Sequence, residues 1–236
     1  MRQWLAQANL MVEGFSIFPD AEAVAQAAAD FLSNRIISCV EEKQSCHVAL
    51  PGGTTPARCL QLLSTRTLPW HGVHWYLGDE RCFPVGHQER NDSMIAQQLW
   101  SRIQAPDENR HPIPAELGPE VAAEKYSALI NRIDGLDIAV LGMGEDGHTA
   151  SLFPDNPALD DRRAAVPVYH APKPPAERVS LGLATFQSAF LRVVMVTGRN
   201  KREALTRVQQ GEQLPVNRIG PSCWFVDKSA ADSDNI

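Results

Sequence analysis

The chain has 236 residues, of which 44% are hydrophobic and 21% charged, a balance typical of a globular protein with a sizeable core. The formal net charge of −6 at pH 7 argues against nonspecific nucleic-acid binding, although local basic residues can still bind a small anion. No run of residues approaches the roughly 18 apolar residues of a membrane span, and the first residues are too polar for the core of a signal peptide.

The cysteines give no sign of a metal-binding or redox motif. There are 5 of them, an odd number at irregular spacing, and no Cys-x-x-Cys occurs. This pattern fits neither a zinc knuckle nor a thioredoxin-type centre. We therefore expect reduced thiols in a cytoplasmic protein.

Helices and short apolar strands alternate along the chain. Helices are predicted where apolar residues recur at helical spacing behind a capping residue. Strands are predicted at short apolar or β-branched runs that end in polar or glycine-rich turns. In chain order the predicted elements are a helix over 20–40, a strand over 47–50, a helix that Thr54 or Thr55 caps and that ends at 63, a strand over 73–77, helices over 91–103 and 121–132, strands over 137–141, 178–183 and 191–196, a helix over 200–209 and a strand over 224–227.

This alternation predicts an α/β fold with an open, mostly parallel sheet and helices on both faces, of the Rossmann-like type. Residues 1–228 are expected to form one domain, and the polar stretch 229–236 is expected to fray as a C-terminal tail. Residues 154–176 are rich in Pro, Asp and Arg, which predicts a long surface loop and a candidate cover for a site. Nothing in the pattern chooses between a monomer and a homodimer.

Four polar loops directly follow predicted strands. In a parallel sheet the carboxyl ends of the strands meet at one edge, where ligands bind, so these loops are expected to converge there. The sequence therefore predicts a single site at that edge. The four loops are Gly52-Gly53-Thr54, Asp79-Glu80-Arg81, Gly142 to His148, and Thr197-Gly198.

The first of these loops, Gly52-Gly53-Thr54, lies between a predicted strand and a predicted helix. Glycines let the backbone approach an anion, the helix N-terminus offers free N–H groups, and a threonine hydroxyl adds a donor. A turn that does no more than begin a helix would have the same sequence. Position alone therefore leaves an anion site and a plain turn equally open.

The third loop contains three glycines that match G-x-G-x-x-G, a fingerprint of dinucleotide-binding folds: Gly142, Gly144 and Gly147. That interpretation also needs an acidic residue about 20 residues further on, at the end of the next strand. Residues 166–170 contain none, and the acidic Glu145 and Asp146 would repel a pyrophosphate. A catalytic loop needs such groups, so a catalytic role is the favoured interpretation.

His148 is the candidate general base of this loop. A neutral imidazole can take a proton from water as the water attacks a carbonyl group, and a carboxylate such as Asp146 or Asp79 can orient the imidazole. A histidine that only lines a loop is the alternative. The Asp146-Gly147-His148 sequence, close to a glycine turn at a strand end, favours catalysis, whereas the other six histidines stand in no such setting.

Basic residues near the same edge are candidates for anion binding. Arg81 can hold a carboxylate or phosphate or stabilise an oxyanion, and Arg178 and Lys201 are candidate phosphate ligands. For each of them a solvated charge or a surface ion pair is the alternative. No G-x-S-x-G motif occurs, which disfavours a covalent serine hydrolase.

Four segments of the chain resemble the 6-phosphogluconolactonase family, which shares a superfamily with the glucosamine-6-phosphate deaminases. The resemblance extends from about residue 18 to 231, and segment 141–154 is its most specific part. One departure is Asn91-Asp92-Ser93-Met94, where many lactonases have Ser-Asn, and Ser93 is assigned no role. The four segments are Leu50 to Pro56, Gly78 to Pro84, Leu141 to Pro154, and Trp224 to Asp227.

The resemblance implies hydrolysis of 6-phosphoglucono-δ-lactone in the oxidative pentose phosphate pathway, without a metal or an organic cofactor. The implied partner is a small sugar-phosphate lactone, and neither nucleic acid nor a membrane is expected. The residue implied to activate water is His148, and those implied to line the reacting centre are Asp79, Arg81 and Asp146. The residues implied to bind the phosphate are Gly52, Gly53, Thr54, Arg178 and Lys201.

The deaminase branch of the superfamily is the close alternative. Its members also carry Asp-Gly-His, followed by a segment such as Ile-Ala-Phe-Asn-Glu-Pro, whose glutamate assists ring opening. This chain has Phe153 at the position of that glutamate. Because an apolar ring cannot transfer a proton, the resemblance favours the lactonase branch. A sugar-phosphate sensor without activity and a dinucleotide-dependent oxidoreductase are the further alternatives.

Overall fold

Residues 14–231 are described by a computed structural model, in which strands and helices alternate. The strands are β1 Gly14–Phe18, β2 Cys46–Leu50, β3 Val73–Leu77, β4 Asp79–Arg81, β5 Arg110–His111, β6 Ile138–Gly142, β7 Ala165–Val168, β8 Arg178–Leu181, β9 Leu191–Val196 and β10 Cys223–Asp227. The α-helices are α1 Ala21–Lys43, α2 Thr54–Leu63, α3 Asn91–Gln98, α4 Pro119–Ile130, α5 Leu183–Ser188, α6 Arg202–Gln209, α7 Pro215–Arg218 and α8 Lys228–Ala231.

Seven strands form one parallel sheet in the order β1-β10-β9-β6-β2-β3-β5. Strands β4, β8 and β7 form a separate antiparallel sheet of three. The predicted α/β fold with a mostly parallel sheet is therefore confirmed. Consecutive residues of β6, β9 and β10 are buried. Because consecutive side chains of a strand point to opposite faces, both faces of the sheet centre are covered.

Helix α1 shows how the sequence pattern produces this packing. Asp20 begins the helix by accepting a hydrogen bond from a first-turn N–H at 2.9 Å, and Gln44 ends it in the left-handed conformation, with φ 63°. Side chains on one face, such as Val24 and Leu32, are buried, and the helix packs on α2 and on strands β2, β9 and β10. The buried apolar residues of the sheet and helices form one continuous cluster. Among residues 14–231, no helix is both long and apolar enough to cross a bilayer.

The small antiparallel sheet is one part of the fold that the sequence pattern did not predict, and strands β1 and β5 are others. The Asp79–Arg81 segment, expected as a loop, is a strand because it pairs with β8 in antiparallel register. The expected surface loop 154–176 contains β7, whose four residues are all buried. Pro167 obscured this strand, although proline is tolerated there because β7 is an edge strand.

Two predicted boundaries also differ from the structure: the end of the helix predicted over 91–103 and the start of the C-terminal tail. Helix α3 stops at Gln98 because Leu99 leaves the helical conformation, with φ −128° and ψ −65°. At the other end of the chain, residues 229–231 are helical, because the Asp227 carboxylate accepts the N–H of Ala230 at 2.8 Å and Ala230 is buried. The rest of the predicted tail, 232–236, lies outside the described residues.

Asp227 also reaches a loop of the sheet edge. Its two carboxylate oxygens accept the N–H of Gly198 at 3.0 and 3.1 Å. Gly198 has φ 95° and begins the turn that leads from β9 into the 3-10 turn Arg199–Lys201. Helix α8 packs against this 3-10 turn and against α6. One carboxylate therefore connects the last helix to the loop after β9.

Three histidines lie in a row across β2, β3 and β5. His47 and His74 are register partners with ring centroids 4.9 Å apart, and the rings of His74 and His111 are 5.7 Å apart. The Tyr76 hydroxyl lies 3.1 Å from Nδ1 of His47. Burial lowers the pKa of all three imidazoles, and for His111 the charges of its two neighbours add to burial and bring the pKa to about 4.

We expect this row to make the protein sensitive to acid. The unfolded imidazoles take up protons near pH 6.5 and the folded ones only at lower pH, so the free energy of unfolding falls as the pH drops from about 6.5 toward 4. At about 1.4 kcal/mol per pKa unit, and with partial exposure screening the effect, His111 contributes about 2 kcal/mol of this loss. Urea unfolding of the wild type and of His111→Gln, at neutral pH and at pH near 4.5, tests this. The variant is expected to lose less stability on acidification, and an equal loss in both proteins would contradict the expectation.

Candidate active site

A cleft of about 280 Å³ opens at the carboxyl edge of the parallel sheet. It is lined by the segments that follow β2, β3, β6 and β9, so the four polar loops meet as their positions predict. Asp146 and Arg178 are the two predicted site residues that do not line the cleft. Those that do are Gly52, Gly53, Thr54, Asp79, Arg81, His148 and Lys201.

The loop after β6 holds His148 against Asp146. Nδ1 of His148 lies 2.5 Å from Oδ1 of Asp146, which also accepts the backbone N–H of His148 at 3.1 Å. Burial alone would raise the pKa of the Asp146 carboxyl, but the hydrogen bonds and charge of His148 outweigh it and lower the pKa to about 2. An ionised Asp146 keeps the proton of the neutral imidazole on Nδ1 and leaves Nε2 as an acceptor. His148 can therefore act as a base through Nε2.

The glycines of this loop make room for the imidazole. A Cβ on Gly144 would lie 2.0 Å from Nδ1 of His148 and 2.7 Å from Oδ1 of Asp146, so a side chain there would displace the pair. Gly147 has φ 82°, which disfavours any other residue. A dinucleotide fingerprint opens directly into a helix, whereas the next helical turn along the described chain is the 3-10 turn Pro157–Leu159. The loop is therefore built around a histidine and not around a pyrophosphate.

Phe153 packs against the imidazole of His148. Their ring centroids are 4.5 Å apart at an interplanar angle of 46°, and Phe153 is only 2% exposed. The Arg178 Cζ atom lies 5.6 Å from the centroid of the same ring. Position 153 thus holds a buried apolar ring, which restricts the imidazole and offers no proton.

Asp79 is held in place by two neutral side chains. Its Oδ2 accepts the hydroxyl of Ser151 at 2.6 Å, and its Oδ1 accepts Nδ2 of Asn91 at 3.1 Å. Gly52 leaves room for this arrangement, because a Cβ there would lie 2.0 Å from the Asn91 side chain. The buried Glu80 carboxylate accepts the N–H of Asn91 and of the next residue, which fixes the first turn of α3. Asp79 therefore presents a fixed carboxylate to the cleft.

Arg81 borders the cleft with part of its guanidinium unpaired. Its Nη1 donates to the carbonyl of Glu89, whereas its Nε is buried without a hydrogen-bond partner among the described residues. A buried N–H without a partner is unfavourable, and a guanidinium binds carboxylate, phosphate and oxyanion oxygens well. Arg81 is therefore suited to a ligand oxygen.

The N-terminus of α2 points its free N–H groups toward the cleft. The helix has 10 residues, follows Gly53 with φ 102°, and has no side-chain cap. The predicted cap by Thr54 or Thr55 is wrong, because the Thr55 hydroxyl lies 2.5 Å from the hydroxyl of Thr197 instead. Since its first N–H groups have no partner within the helix and its dipole is positive at this end, the N-terminus attracts an anion.

Two lysines add positive charge to the cleft. Lys201 ends the 3-10 turn after β9, and Lys173 lies five residues before Arg178. Burial lowers the pKa of Lys201, and the carboxylates of Glu145 and Asp146 oppose this lowering. Together with the N-terminus of α2, these ammonium groups give the cleft donors and positive charge suited to an anion.

Arg178, which was expected to be a direct phosphate ligand, is not among the residues that line the cleft. Its Nε donates to the carbonyl of Pro175 at 3.2 Å, and its Nη2 donates to the carbonyls of Lys173 and Pro174 at 3.0 and 3.2 Å. The residue is 6% exposed. These three carbonyls accept from Nε and Nη2, and the hydrogen bonds hold in place the segment that carries Lys173.

Two polar residues of the cleft were missed from the sequence. Asn91 and Lys173 line it, but Asn91 stands at the start of a helix and Lys173 in a proline-rich stretch expected as a surface loop. A lysine between prolines, shortly before a buried arginine, was the available signal for Lys173. Ser93, which had no assigned role, donates to the carbonyl of His87 at 2.9 Å and does not line the cleft.

One group of described residues has ligand atoms close enough to bind a metal ion. The side-chain atoms of Cys39, Cys46 and Asp137 lie within 4.8 Å of one another, and all three residues are buried. The Asp137 carboxylate, however, already accepts the ammonium of Lys43 and the backbone N–H of His47 at 2.8 Å. The group lies at the amino ends of β2 and β6, at the opposite edge of the sheet from the cleft.

The chain matches the model of a family described as glucosamine-6-phosphate isomerases/6-phosphogluconolactonase over residues 19–226. It belongs to this family. It is similar to a 6-phosphogluconolactonase of Homo sapiens, with 32% identity over 236 residues that cover 92% of this chain and 92% of that protein. A 6-phosphogluconolactonase structure from Thermotoga maritima has a TM-score of 0.85 and 28% identity, and covers 91% of this chain and 99% of that one.

Other members of the family are longer proteins. The GDH/6PGL endoplasmic bifunctional protein of Oryctolagus cuniculus is 32% identical over 91% of this chain, which spans 29% of that protein's length. The match to the glucosamine-6-phosphate isomerase/6-phosphogluconolactonase family confirms the resemblance that was inferred from the sequence. The family description names an isomerase and a lactonase, so the distinction between these two activities depends on residues of the site such as Phe153.

Proposed function

We propose that this protein hydrolyses 6-phospho-D-glucono-1,5-lactone to 6-phospho-D-gluconate, a reaction of the oxidative pentose phosphate pathway. The observation that carries the proposal is the His148–Asp146 pair beside a cleft whose other groups bind an anion. Relatives named 6-phosphogluconolactonase that align over most of this chain support it. Phe153, where an isomerase needs a proton-transferring glutamate, favours the hydrolase.

The substrate phosphate binds at the N-terminus of α2, where Gly53 and Thr54 offer backbone N–H groups. Lys201 and Lys173 supply the positive charge. Arg178 contributes indirectly, because its hydrogen bonds fix the segment that carries Lys173. With the phosphate anchored there, the lactone ring extends across the cleft toward His148, and this positioning makes the attack effectively intramolecular.

Hydrolysis then needs one base and one group that stabilises negative charge. Nε2 of His148 takes a proton from water, and the water oxygen forms a bond to C1 of the lactone. Arg81 stabilises the negative charge on the carbonyl oxygen of the tetrahedral intermediate, and Asp146 stabilises the imidazolium. As the bond between C1 and the ring oxygen breaks, His148 returns the proton to that oxygen. The fixed carboxylate of Asp79 accepts a hydroxyl of the sugar.

Hydrolysis of freshly prepared lactone, followed by proton release, tests the proposal. The rate is expected to exceed the spontaneous rate by orders of magnitude, and glucosamine 6-phosphate is expected to release no ammonia. Ammonia release would favour the deaminase alternative. Binding of the lactone without accelerated proton release would instead identify a sugar-phosphate-binding protein, and either result would overturn the proposal.

A further inference from the structure

Glu145 is an exposed residue directly after Gly144, which lines the cleft, and the proposed reaction does not use its carboxylate. Its Oε1 accepts Nδ2 of Asn200 at 2.6 Å. This hydrogen bond joins the catalytic loop after β6 to the 3-10 turn Arg199–Lys201 after β9. Glu145 is therefore fixed next to the turn that carries Lys201.

The two lysines of the cleft act electrostatically on this carboxylate. The hydrogen bond from Asn200 lowers the pKa of Glu145 most, and the ammonium groups of Lys173 and Lys201 lower it further. In the other direction, burial lowers the pKa of Lys201, and the Glu145 carboxylate is the main group that opposes this. Glu145 is hydrogen-bonded to the residue that precedes Lys201, and its charge acts on the ammonium groups with which a phosphate would interact.

We propose that Glu145, held by Asn200, is an internal counter-ion of Lys173 and Lys201 that limits the affinity of the cleft for anions. The proposal rests on the proposed function, because it takes these lysines to be phosphate ligands. In the empty cleft the Glu145 carboxylate partly neutralises the two ammonium groups. A bound phosphate must compete with it for the same charges, so removal of the carboxylate strengthens phosphate binding.

The effect of a fixed carboxylate grows with the negative charge of the ligand. Hydrolysis converts a neutral lactone group into a carboxylate, so the product carries one more negative charge than the substrate. Glu145 therefore weakens product binding more than substrate binding. In this chain the counter-ion favours release of the product from a cleft that would otherwise retain it.

Substitution Glu145→Gln tests the proposal, with Glu108→Gln as the matched control. Glu108 is an exposed glutamate of the 3-10 turn Asp107–Asn109, outside the cleft, and its substitution changes the net charge equally. The dissociation constants of inorganic phosphate and of 6-phosphogluconate are measured by calorimetry at low ionic strength. They are measured again at about 1 M salt, where the Debye length is about 3 Å.

We expect Glu145→Gln to bind inorganic phosphate about 2- to 5-fold more tightly at low salt, the range typical of a partly exposed charge pair. The gain is expected to be larger for 6-phosphogluconate and to disappear at high salt, and Glu108→Gln is expected to bind like the wild type. Asn200→Ala, which frees the carboxylate without removing its charge, is expected to give an intermediate gain. Unchanged or weaker binding in Glu145→Gln, an equal gain in Glu108→Gln, or no phosphate binding in any protein would overturn the proposal.

Lactone hydrolysis and anion binding, measured on the same proteins, distinguish failure of the counter-ion proposal from failure of the proposed function. If the wild type hydrolyses the lactone and Glu145→Gln binds anions no more tightly, the counter-ion role is wrong and the lactonase function stands. If Glu145→Gln binds phosphate more tightly but no protein hydrolyses the lactone, the lactonase function is wrong and the counter-ion role stands.

Discussion

His148→Ala is expected to lower kcat by about 1,000-fold, because general acid–base catalysis by a positioned side chain contributes roughly 100- to 10,000-fold. In the proposed reaction the same imidazole takes a proton from water and returns it to the ring oxygen. No other described imidazole lines the cleft, so no neighbour can replace it. The measurement is proton release from fresh lactone, corrected for spontaneous hydrolysis.

Two companion measurements test the role of Asp146 and the folding of the His148→Ala variant. Asp146→Asn keeps the volume of the side chain but removes the charge that holds the proton on Nδ1, and we expect it to lose a large part of kcat because the imidazole then adopts the wrong tautomer. Phosphate binding by His148→Ala is expected to match the wild type, since His148 does not contribute to the phosphate end. A His148→Ala variant with near-wild-type kcat would show that this histidine is not the base.

Arg178→Ala is expected to raise KM by about 10-fold while kcat changes little, a loss of about 1.4 kcal/mol in substrate binding. The cause is indirect: without the guanidinium, the carbonyls of Lys173, Pro174 and Pro175 lose their donors, and Lys173 leaves its place in the cleft. Hydrogen bonds from a charged donor contribute about 1.5–3 kcal/mol each, so the stability of the variant also falls. Steady-state kinetics and urea unfolding measure the two effects.

A double-mutant cycle with Lys173→Ala decides whether Arg178 acts through this segment. If it does, the double variant has nearly the KM of Lys173→Ala alone. If Arg178 contacts the phosphate itself, the two increases in KM multiply, and the positioning role is wrong. Arg178→Lys is the conservative control: one ammonium cannot reproduce the planar fork that serves three carbonyls, so it is expected to restore KM only in part.

The sequence predicted the edge of the sheet at which the cleft lies, but not all of the geometry of the cleft. Alternation of strands and helices was enough to predict a parallel sheet, and the rule that ligands bind at the carboxyl edge brought His148 and the loop at Gly53 together. Those inferences need only local patterns and chain order. The positions of His148 and of the N-terminus of α2 were therefore predictable from short segments.

The placement of Arg178 outside the cleft lining was not predictable, because it depends on the small antiparallel sheet. Strand β4 has only three residues, all charged, and shows no apolar pattern, while Pro167 hides β7. Unless this sheet is known, the sequence does not show that the guanidinium of Arg178 contacts the carbonyls of residues 173–175. Asn91 was missed for a similar reason, since its position depends on Glu80, which is 11 residues earlier in the chain.

The carboxylate of Asp227 connects the end of the described chain to the proposed anion-binding region. It accepts the N–H of Ala230 and the N–H of Gly198, so helix α8 and the turn that leads to Lys201 share one acceptor. Two elements that share an interaction are thermodynamically linked: whatever orders one favours order in the other, and the relation is reciprocal. Fraying of the last helix therefore loosens the turn that presents Lys201, and an anion bound at Lys201 protects the last helix against fraying.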